Sequence, residues 1–559
     1  MAICAVITLY AGWLTSGPWP DPAGRALALN PGDQALDEWF LALGTRLYSG
    51  DFHLVTPLLN APDGVNLLGN ASLILLGVVM APVTLAFGAP VSFAVIMAAN
   101  LAATGIGWYL LFTRTLNIRR FGATVGAAFT AFAPGMVSQA NAHLHMTAQW
   151  LVPVMVWCVL RLTGERRFWP TVRLGALLGG LIVLHVFLGE EVLFLTAITL
   201  GVFCVVSAAL NPRSVRRALP GLAAGVAIAA VVALAFTAYL LWLQFRGPQS
   251  VPNGPFSPAF FSADLAGIFT ISPLSLAGNQ DASVLVTSPA EYTSFFGWPL
   301  VLVIAGTTMW LWRRPAVVAS AVTALVMCAL ALGPNITVNR HATGHSGPYK
   351  LIAGLPILDN ALPTRFALAA IPPIAFILAT AINTAFTGRR ILTFVVPIAV
   401  VGALIPLAAG PLPVQARSAA PRFFSDGYWR SCVQRNGVLV PVPLPGGLNP
   451  DKMRWPAAAN DEFGIPQGWF IGPYAAGGRA SVGIYSQPTA HLLDVADETN
   501  AVPEITDKNR ADAVADVAYW HASCFVVADT EPHGAVLRST LDQLFPPGEH
   551  VADVWIWRV

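Results

Sequence analysis

The sequence predicts an α-helical polytopic membrane protein of about eleven transmembrane helices, with a C-terminal extracytoplasmic α/β domain. Three observations support this fold class. The 559 residues are 55% hydrophobic and 11% charged, with a mean hydropathy of +0.62, whereas soluble domains have about 25% charged residues. Apolar segments of helical length recur along the first 409 residues. Arginines and acids concentrate in alternate connections between these segments, as in a chain that crosses a membrane repeatedly.

The composition also argues against several function classes. The net charge of +2 provides no basic field for nucleic acid, so no nucleic-acid partner is expected. The sequence contains no Gly-rich phosphate loop of the Walker or Rossmann type, which argues against nucleotide hydrolysis. The partner that the composition does predict is membrane lipid.

The predicted membrane domain covers residues 1–409. Its candidate spans lie near residues 2–15, 91–112, 122–138, 147–163, 174–189, 191–209, 219–245, 295–312, 315–333, 366–386 and 391–409. The first has only roughly 21 Å of helix, so either this span is short or the true start lies upstream of Met1. A secretory signal peptide with Ala26-Leu27-Ala28 near its cleavage site is the alternative, which the lack of a preceding basic residue disfavours.

The segment 71–89 is also apolar enough to cross, but the charge distribution argues against a crossing. If it does not cross, all arginine-rich connections fall on one side of the membrane together with a single acid, Glu165. The positive-inside rule makes that side the cytoplasm and places the N-terminus there. We therefore predict that 71–89, interrupted by Pro82, lies in or dips into the outer interface. The arginines concerned are Arg114, Arg119, Arg120, Arg161, Arg166, Arg167, Arg173, Arg213, Arg216, Arg217, Arg313, Arg314, Arg389 and Arg390.

Three predicted outer loops are long, and a soluble domain follows them. The loops 16–90, 246–294 and 334–365 are rich in aromatic residues and proline, and loops of such length are usually functional or disordered. Residues 410–559 alternate short β-type runs with helical stretches, which predicts an extracytoplasmic α/β domain. In that compartment Cys432 and Cys524 either form a disulfide or remain two unpaired buried thiols.

Three acids follow the first span closely and are candidates for chemistry. Asp33 and Asp37 are four residues apart, so on a helix both carboxylates share one face, with Glu38 beside them. Three acids at the membrane boundary without a basic neighbour in sequence repel one another. We expect a compensating partner, which could be a metal ion, an arginine from another loop, or a cationic or hydroxyl-bearing ligand.

The first outer loop carries a family resemblance. The stretches GDQALDEWFLALGTRLYSGDF and APDGVNLLGNASLILLGVVMAPVTLAFG place acids, then an interfacial helix, ahead of many spans and an outer C-terminal domain. This pattern resembles the C-type glycosyltransferase (GT-C) superfamily. The local amino-acid sequence of the two stretches is similar to that of uncharacterised actinobacterial members. The arrangement of loops and spans resembles the family over residues 1–410. The acidic motif itself covers only the first outer loop. The resemblance implies transfer of a sugar from a polyprenyl-phosphate-linked donor to a cell-envelope glycan or lipid acceptor on the outer face.

The resemblance also suggests roles for particular residues. The reaction needs a base for the acceptor hydroxyl, and Asp33 is favoured, with Asp37 and Glu38 as alternatives. A helix N-cap is the structural alternative for Asp33. The leaving phosphate needs cations, and Arg365 is favoured because a guanidinium can bind phosphate oxygens in bidentate fashion. Its local sequence, Pro-x-Arg-Phe, also resembles the uncharacterised actinobacterial members. Its structural alternative is an interfacial snorkelling arginine. The other outer cations considered are Arg246, Lys350, Arg46 and Arg340.

Two pairs of polar residues are predicted to bind substrate. His143 and His145 lie in a short outer loop with the i, i+2 spacing that could hold a metal, but no other His or Cys clusters with them. A hydrogen-bonding role toward sugar or phosphate is favoured. Glu190 and Glu191 lie at the outer end of a span, where acids are functional candidates that could hold a cation or the acceptor. The sequence requires no cofactor and leaves a divalent cation open.

Two other function classes remain as alternatives. The first is a transporter or flippase of lipid-linked envelope precursors, although the internal repeats typical of transporters are not evident in the sequence. The second is a non-catalytic envelope assembly protein that shares the fold. The latter predicts that Asp33→Asn leaves function intact.

Overall fold

A computed structural model describes residues 1–70, 73–251, 253–354, 361–447 and 449–559. Parts of four predictions lie outside these described residues. They are residues 71–72 of the predicted interfacial helix, residue 252 of the second outer loop, residues 355–360 of the third, and residue 448 of the predicted C-terminal domain.

The described residues are dominated by apolar helices. Seven are long and apolar enough to cross a membrane: Ala89–Thr115, Arg120–Gln139, Leu144–Gly164, Phe168–Val186, Glu190–Leu210, Pro212–Arg246 and Pro363–Ala385. Five shorter apolar helices are Ala2–Leu14, Ile74–Phe87, Trp298–Trp310, Pro315–Ala331 and Leu392–Leu407. Every predicted span coincides with one of these helices. A multi-pass membrane protein is thereby supported, whereas the count of about eleven spans and their orientation stay predictions.

Contacts within the chain divide it into two compact units. Unit 1 comprises Met1–Gly17, Val95–Ala238 and Phe256–Pro413. Unit 2 comprises Pro18–Ala94, Tyr239–Pro255 and Val414–Val559. The division near residue 413 lies close to the predicted domain boundary at residues 409 and 410. Unit 2 additionally contains most of the first outer loop.

Unit 1 is a helical bundle in which small residues allow close packing. Its central helix Ile371–Ala385 packs against Arg120–Phe132 and Pro315–Ala331, and the last of these also contacts Glu190–Leu210. A Cβ on Gly122 would lie 2.8 Å from the carbonyl oxygen of Ala379. Such an approach is open only to glycine and brings the helix backbones together.

The long apolar helices of unit 1 are interrupted by short elements. Pro134 begins the helix Pro134–Gln139 directly after Arg120–Phe132, because proline suits the first turn but not the interior of a helix. The remaining elements of unit 1 are Leu144–Thr147, Val152–Gly164, Leu265–Phe269, Phe366–Ala369, the hairpin Asn335–Val338 with His341–Ser346, and the 3-10 turns Gln280–Leu285, Pro289–Glu291, Pro348–Leu351 and Pro363–Arg365.

Unit 2 contains a four-stranded mixed sheet. The strands are ordered Glu549–Val551, Val554–Arg558, Ala522–Ala528 and Val438–Pro441; only the last pair is parallel. Apolar residues of these strands, such as Phe525, form a buried core with Leu493, Trp520 and Leu537 from the helices Pro488–Thr499, Asp507–Trp520 and Gly534–Leu544. The predicted β-type runs are therefore strands of one sheet, with helices packed on it.

The remaining elements of unit 2 are short apart from two helices of the first loop. These two are Pro31–Leu43 and Ile74–Phe87. The strand pairs are Arg25–Leu27 with Val414–Ala416, Val55–Thr56 with Val65–Asn66, and Ile471–Ala475 with Arg479–Val482, and the short helices are Arg422–Ser425 and Arg454–Ala458.

One disulfide closes a large part of unit 2. Cys432 and Cys524 are joined by a disulfide at a sequence separation of 92. Cys524 is buried in the strand Ala522–Ala528, where it pairs with Arg558 on one side and with Leu439 on the other. The other four cysteines, Cys4, Cys158, Cys204 and Cys328, are free and lie in apolar helices of unit 1.

Candidate functional site

Arg365 lies at the centre of a buried charge cluster in unit 1. Its Nε and Nη2 atoms donate to Oε1 of Glu291 at 2.9 and 2.5 Å, and its Nη1 atom donates to Oε2 of Glu191 at 2.5 Å. The side chains of Arg365, Glu291 and Glu191 are 11%, 3% and 17% exposed. Charge-assisted bonds of this kind are stronger than neutral ones. They fix the plane of the guanidinium.

A network of hydroxyl and backbone bonds positions Glu291. It ends the 3-10 turn Pro289–Glu291, in which the carbonyl of Pro289 accepts from Ser138 Oγ at 2.8 Å. The same oxygen of Ser138 accepts from the backbone N–H of Tyr292 at 2.8 Å. Thr293 Oγ1 donates to the carbonyl of Thr364, the residue before Arg365, at 2.7 Å. The acid and the arginine are therefore held through adjoining backbone as well as through their own contact.

Gln139 and His143 complete the inner side of the cluster. Gln139 Nε2 donates to the carbonyl of Ala290 at 2.7 Å, which orients its amide so that Oε1 faces His143 Nδ1 at 2.8 Å. Because an amide oxygen only accepts, Nδ1 of His143 is assigned as the protonated nitrogen. His143 Nδ1 also lies 3.9 Å from Glu291 Oε1.

Two buried polar atoms beside this network find no hydrogen-bond partner among the described residues. They are Nδ1 of His145 and Oε1 of Glu191. The ring of His145 lies 5.6 Å from that of His143. Gly189, directly before the helix that carries Glu191, packs so closely that a Cβ there would lie 3.0 Å from the carbonyl oxygen of His145. Buried polar atoms are usually bonded, so these two atoms are candidates for contact with a bound polar group.

The cluster has more carboxylates than cations. Glu191, Glu291 and Arg365 carry a formal net charge of −1. Such a site can hold a hydroxyl or cationic group, and it can hold an anion once one carboxylate has left the guanidinium. In the part of the chain that the structure describes, no group of three or more His, Cys, Asp or Glu side chains is arranged to hold a metal ion. A requirement for a divalent cation is untested.

The first-loop acids lie at the start of a helix in unit 2. Asn30 is the N-cap of Pro31–Leu43, and Asp33 occupies its first turn, where its Oδ2 accepts from Asn30 Nδ2 at 2.7 Å. Asp33 is thus not the cap residue itself. It is half-buried, whereas Asp37 is buried. A carboxylate in the first turn is stabilised by the helix dipole.

Glu38 is the most deeply buried of the three acids, at 1% exposure. Its Oε1 accepts from Gln34 Nε2 at 2.8 Å and from Arg417 Nη2 at 2.6 Å. Its Oε2 lies 3.6 Å from Nε of Arg454. A compensating partner is expected for the three acids. For Glu38 this partner is a pair of arginines from the C-terminal part of the chain. The sequence analysis did not identify either arginine.

The other predicted cations have different surroundings. Arg246, Lys350 and Arg340 are exposed, and Lys350 contacts Ser346 Oγ at 3.3 Å. Arg46 is buried in unit 2, where it pairs with Asp51 and donates to the carbonyl oxygen of Asp461 at 2.8 Å. Of the cations predicted to bind phosphate, Arg365 is the one that the structure brings together with predicted substrate residues, His143 and Glu191. Glu190, also predicted to bind substrate, is half-buried in the first helical turn beside Glu191.

Glu291 and Gln139 are the candidate site residues that the sequence analysis missed. Glu291 belongs to one of the long outer loops, and its only signal is that it is an acid in a loop with few charges. It precedes Arg365 by 74 residues, and Glu191 precedes Arg365 by 174. No local pattern relates residues at such separations.

Comparisons with known proteins identify the fold. The sequence matches the model of a family described as "Domain of unknown function (DUF6311)" over residues 5–355. No match is found among curated proteins. Two cryo-EM structures of the arabinofuranosyltransferase AftD from Mycobacteria, the second of a mutant, match with TM-scores of 0.53 and 0.54 at 16% and 15% identity. They cover 100% of this chain and 39% and 41% of theirs, so the chain spans about two-fifths of the length of AftD.

A third solved structure also matches. The oligosaccharyltransferase of Archaeoglobus fulgidus, tethered to an acceptor peptide, matches with a TM-score of 0.47 at 12% identity, covering 94% of this chain and 69% of that one. The likeness to AftD shows a shared fold. Membership of the GT-C superfamily and similarity to actinobacterial members stay predictions.

Proposed function

We propose that this chain, which belongs to the family described as "Domain of unknown function (DUF6311)", is an integral membrane glycosyltransferase. It transfers a sugar from a polyprenyl-phosphate-linked donor to a cell-envelope glycan or lipid acceptor on the outer face. The observation that carries the proposal is the buried, oriented guanidinium of Arg365, next to polar atoms without partners among the described residues, in a fold shared with an arabinofuranosyltransferase.

Arg365 is assigned to the donor phosphate. When the acceptor oxygen attacks the anomeric carbon, the bond from that carbon to the phosphate oxygen breaks, and its electron pair leaves with the phosphate. Polyprenyl phosphate therefore gains negative charge in the transition state. A guanidinium fixed in advance by Glu291 stabilises that charge without having to reorient during the reaction. His143 and His145 are assigned to hydrogen bonds with the sugar or phosphate.

Asp33 is assigned as the general base that takes the proton of the acceptor hydroxyl. Deprotonation during attack turns a poor alcohol nucleophile into a good one. Asp33 is half-buried and so remains open to an acceptor, whereas Glu38 is 1% exposed and bonded to Arg417. We therefore assign Glu38 to the stability of unit 2. Asp37 is the alternative base.

A buried charge cluster also fits a transporter of lipid-linked precursors, because ionisable residues inside membrane segments often serve substrate or proton pathways. The two candidates differ in what accumulates when the protein is absent. Loss of a transferase leaves the acceptor without one sugar while the donor remains on the outer face. Loss of a flippase leaves the donor on the cytoplasmic face.

The test is the envelope glycan composition of a deletion strain of the source organism, complemented at matched expression. Wild type and Asp33→Asn are compared with Asp21→Asn, which removes an exposed acid of the same loop. We expect the deletion to remove one sugar or linkage, and wild type and D21N to restore it while D33N does not. If D33N also restores it, Asp33 is not the base and Asp37→Asn is examined next. Restoration by D33N, D37N and R365Q alike would exclude a catalytic role.

A further inference from the structure

We propose that Glu191 is a displaceable partner of Arg365, which occupies the phosphate-binding edge of the guanidinium at rest and leaves it when the donor phosphate arrives. Glu291, in contrast, stays bonded to Arg365 and keeps it oriented. This inference rests on the proposed function, in which Arg365 binds the donor phosphate.

The two carboxylates hold the guanidinium in different ways. Glu291 accepts from two guanidinium nitrogens: Nε and Nη2 both donate to Oε1, and Nε also donates to Oε2 at 3.2 Å, so the contact fixes both position and plane. Glu191 receives one N–H group, Nη1, through Oε2 alone. Removing the Glu191 contact therefore leaves the guanidinium oriented, and it frees one N–H edge for another acceptor.

The two acids are also anchored to different extents. The side chain of Glu291 is 3% exposed, and its Oε2 additionally lies 3.4 Å from Gln139 Nε2. The side chain of Glu191 is 17% exposed, and its Oε1 finds no partner within the described ranges. Glu191 also sits in the first turn of Glu190–Leu210, directly after Gly189. That helix terminus stabilises a carboxylate that has moved off the arginine.

The charge of the cluster requires such a movement. Glu191, Glu291 and Arg365 together carry −1, so a phosphate that approaches Arg365 meets an excess of negative charge. Like charges within a few ångströms repel strongly in a partly buried site. A phosphate that replaces Glu191 at Nη1 exchanges one anionic acceptor for another. Glu191 thereby tunes donor affinity and favours release of the product phosphate.

A matched pair of substitutions separates this role from simple charge removal. Glu191→Gln and Glu291→Gln each remove one negative charge from the same cluster. Glu191→Gln removes the competitor and is expected to bind phosphate about tenfold more tightly. Glu291→Gln removes the contact that orients Arg365 and is expected to bind about tenfold more weakly. A general electrostatic effect would instead change both in the same direction.

The experiment measures binding of farnesyl phosphate to the full-length protein in detergent micelles by titration calorimetry, with farnesol as the uncharged control ligand. The variants are E191Q, E191A, E291Q and R365Q, together with Asp281→Asn, an exposed acid of the same outer loop as Glu291. The unfolding temperature of each variant is recorded to verify folding. We expect D281N to bind like wild type and farnesol binding to be the same in all variants.

The outcomes distinguish this inference from the proposed function. Tighter binding of farnesyl phosphate by E191Q and E191A, with loss in R365Q, supports both. Unchanged or weaker binding by E191Q and E191A, with loss in R365Q, overturns the displacement of Glu191 and leaves the phosphate role of Arg365 standing. If R365Q binds like wild type, or if wild type does not bind farnesyl phosphate, both fail. The result for E191Q decides the inference even where E291Q does not fold.

Discussion

In unit 2 one buried carboxylate, Glu38, meets two arginines, whereas in unit 1 one buried arginine, Arg365, meets two carboxylates. Around Glu38 the arginines have further acceptors. Arg417 also donates to the carbonyl oxygen of Pro22 at 2.9 Å, and Arg454 pairs with Asp451 at 2.6 Å. Around Arg365, polar atoms of His145 and Glu191 have no partner in the described part of the chain.

The difference indicates what each cluster is for. The clusters differ in charge balance, because Oε2 of Glu38 also has no hydrogen-bond partner among the described residues. A buried carboxylate whose charge is offset by two arginines specifies structure, and removing it leaves costly unpaired charges. A cluster whose carboxylates outnumber its cations is suited to an incoming ligand. We therefore assign the Glu38 cluster to stability and the Arg365 cluster to binding. Two of the four predictions below test this division directly, and the other two test further groups that stabilise unit 2.

The largest expected effect is the difference in stability between two Glu→Gln variants, one in each cluster. Glu38→Gln leaves two buried arginines without their shared carboxylate and should destabilise the protein by about 3 kcal/mol. Glu191→Gln leaves Arg365 paired with Glu291 and should cost less than about 1 kcal/mol. Thermal unfolding of the two variants in the same detergent measures the difference. Equal destabilisation would remove the distinction between the clusters.

The second prediction concerns the covalent closure of unit 2. Replacing Cys432 and Cys524 together by serine should lower stability by about 2–4 kcal/mol, because the unfolded chain regains the entropy of a long loop. The measurement is the unfolding temperature of the double variant, with wild type in reductant as a second preparation. As a control, Cys204→Ser changes a free cysteine of unit 1. A double variant as stable as wild type would contradict this structural role.

The third prediction concerns the geometry of Arg365 rather than its charge. Arg365→Lys keeps the cation but cannot make the two-pronged contact with Glu291, so we expect sugar transfer to fall about tenfold or more. The change in protein stability should be small by comparison. The assay is the rate of glycan restoration in the complemented deletion strain. Arg246→Lys, at an exposed site, serves as the matched control.

The smallest effect tests a third buried acid of unit 2, Asp461. Its two carboxylate oxygens have no hydrogen-bond partner among the described residues, and burial raises its pKa well above the ordinary value, opposed only by Arg46. The folded protein therefore keeps a proton that the unfolded chain releases. Its contribution to stability is full below about pH 4 and is lost as the pH rises toward the folded pKa, by at most about 1.4 kcal/mol per pH unit.

Asp461→Asn should remove this dependence. The unfolding temperature of wild type relative to D461N should therefore fall as the pH rises from about 4 toward 7. The opposite sign is expected of Asp51, whose pKa is lowered by its hydrogen bond with Asn436 and by Arg46, so its stabilising effect is lost as the pH falls. A constant difference between wild type and D461N would show that Asp461 is ionised in the folded protein.

Much of the fold could be predicted from the sequence because hydropathy is local. Each predicted span, from 2–15 to 391–409, coincides with an apolar helix, and the region predicted to contain short β-type runs, 410–559, contains strands such as Ala522–Ala528. Part of the site could also be predicted. Arg365, His143 and Glu191 were singled out from their position at the ends of apolar segments, and the structure places them in one cluster.

The sequence by itself determined the membrane class, the helical segments and the candidate charges, because a run of apolar residues favours a helix in lipid whatever the rest of the chain does. Only the tertiary structure decided which charges meet. Glu291 joins Arg365 across 74 residues, and Arg417 joins Glu38 across 379. A buried charge takes the partner that folding brings within hydrogen-bond distance, and separation along the chain carries no information about that distance.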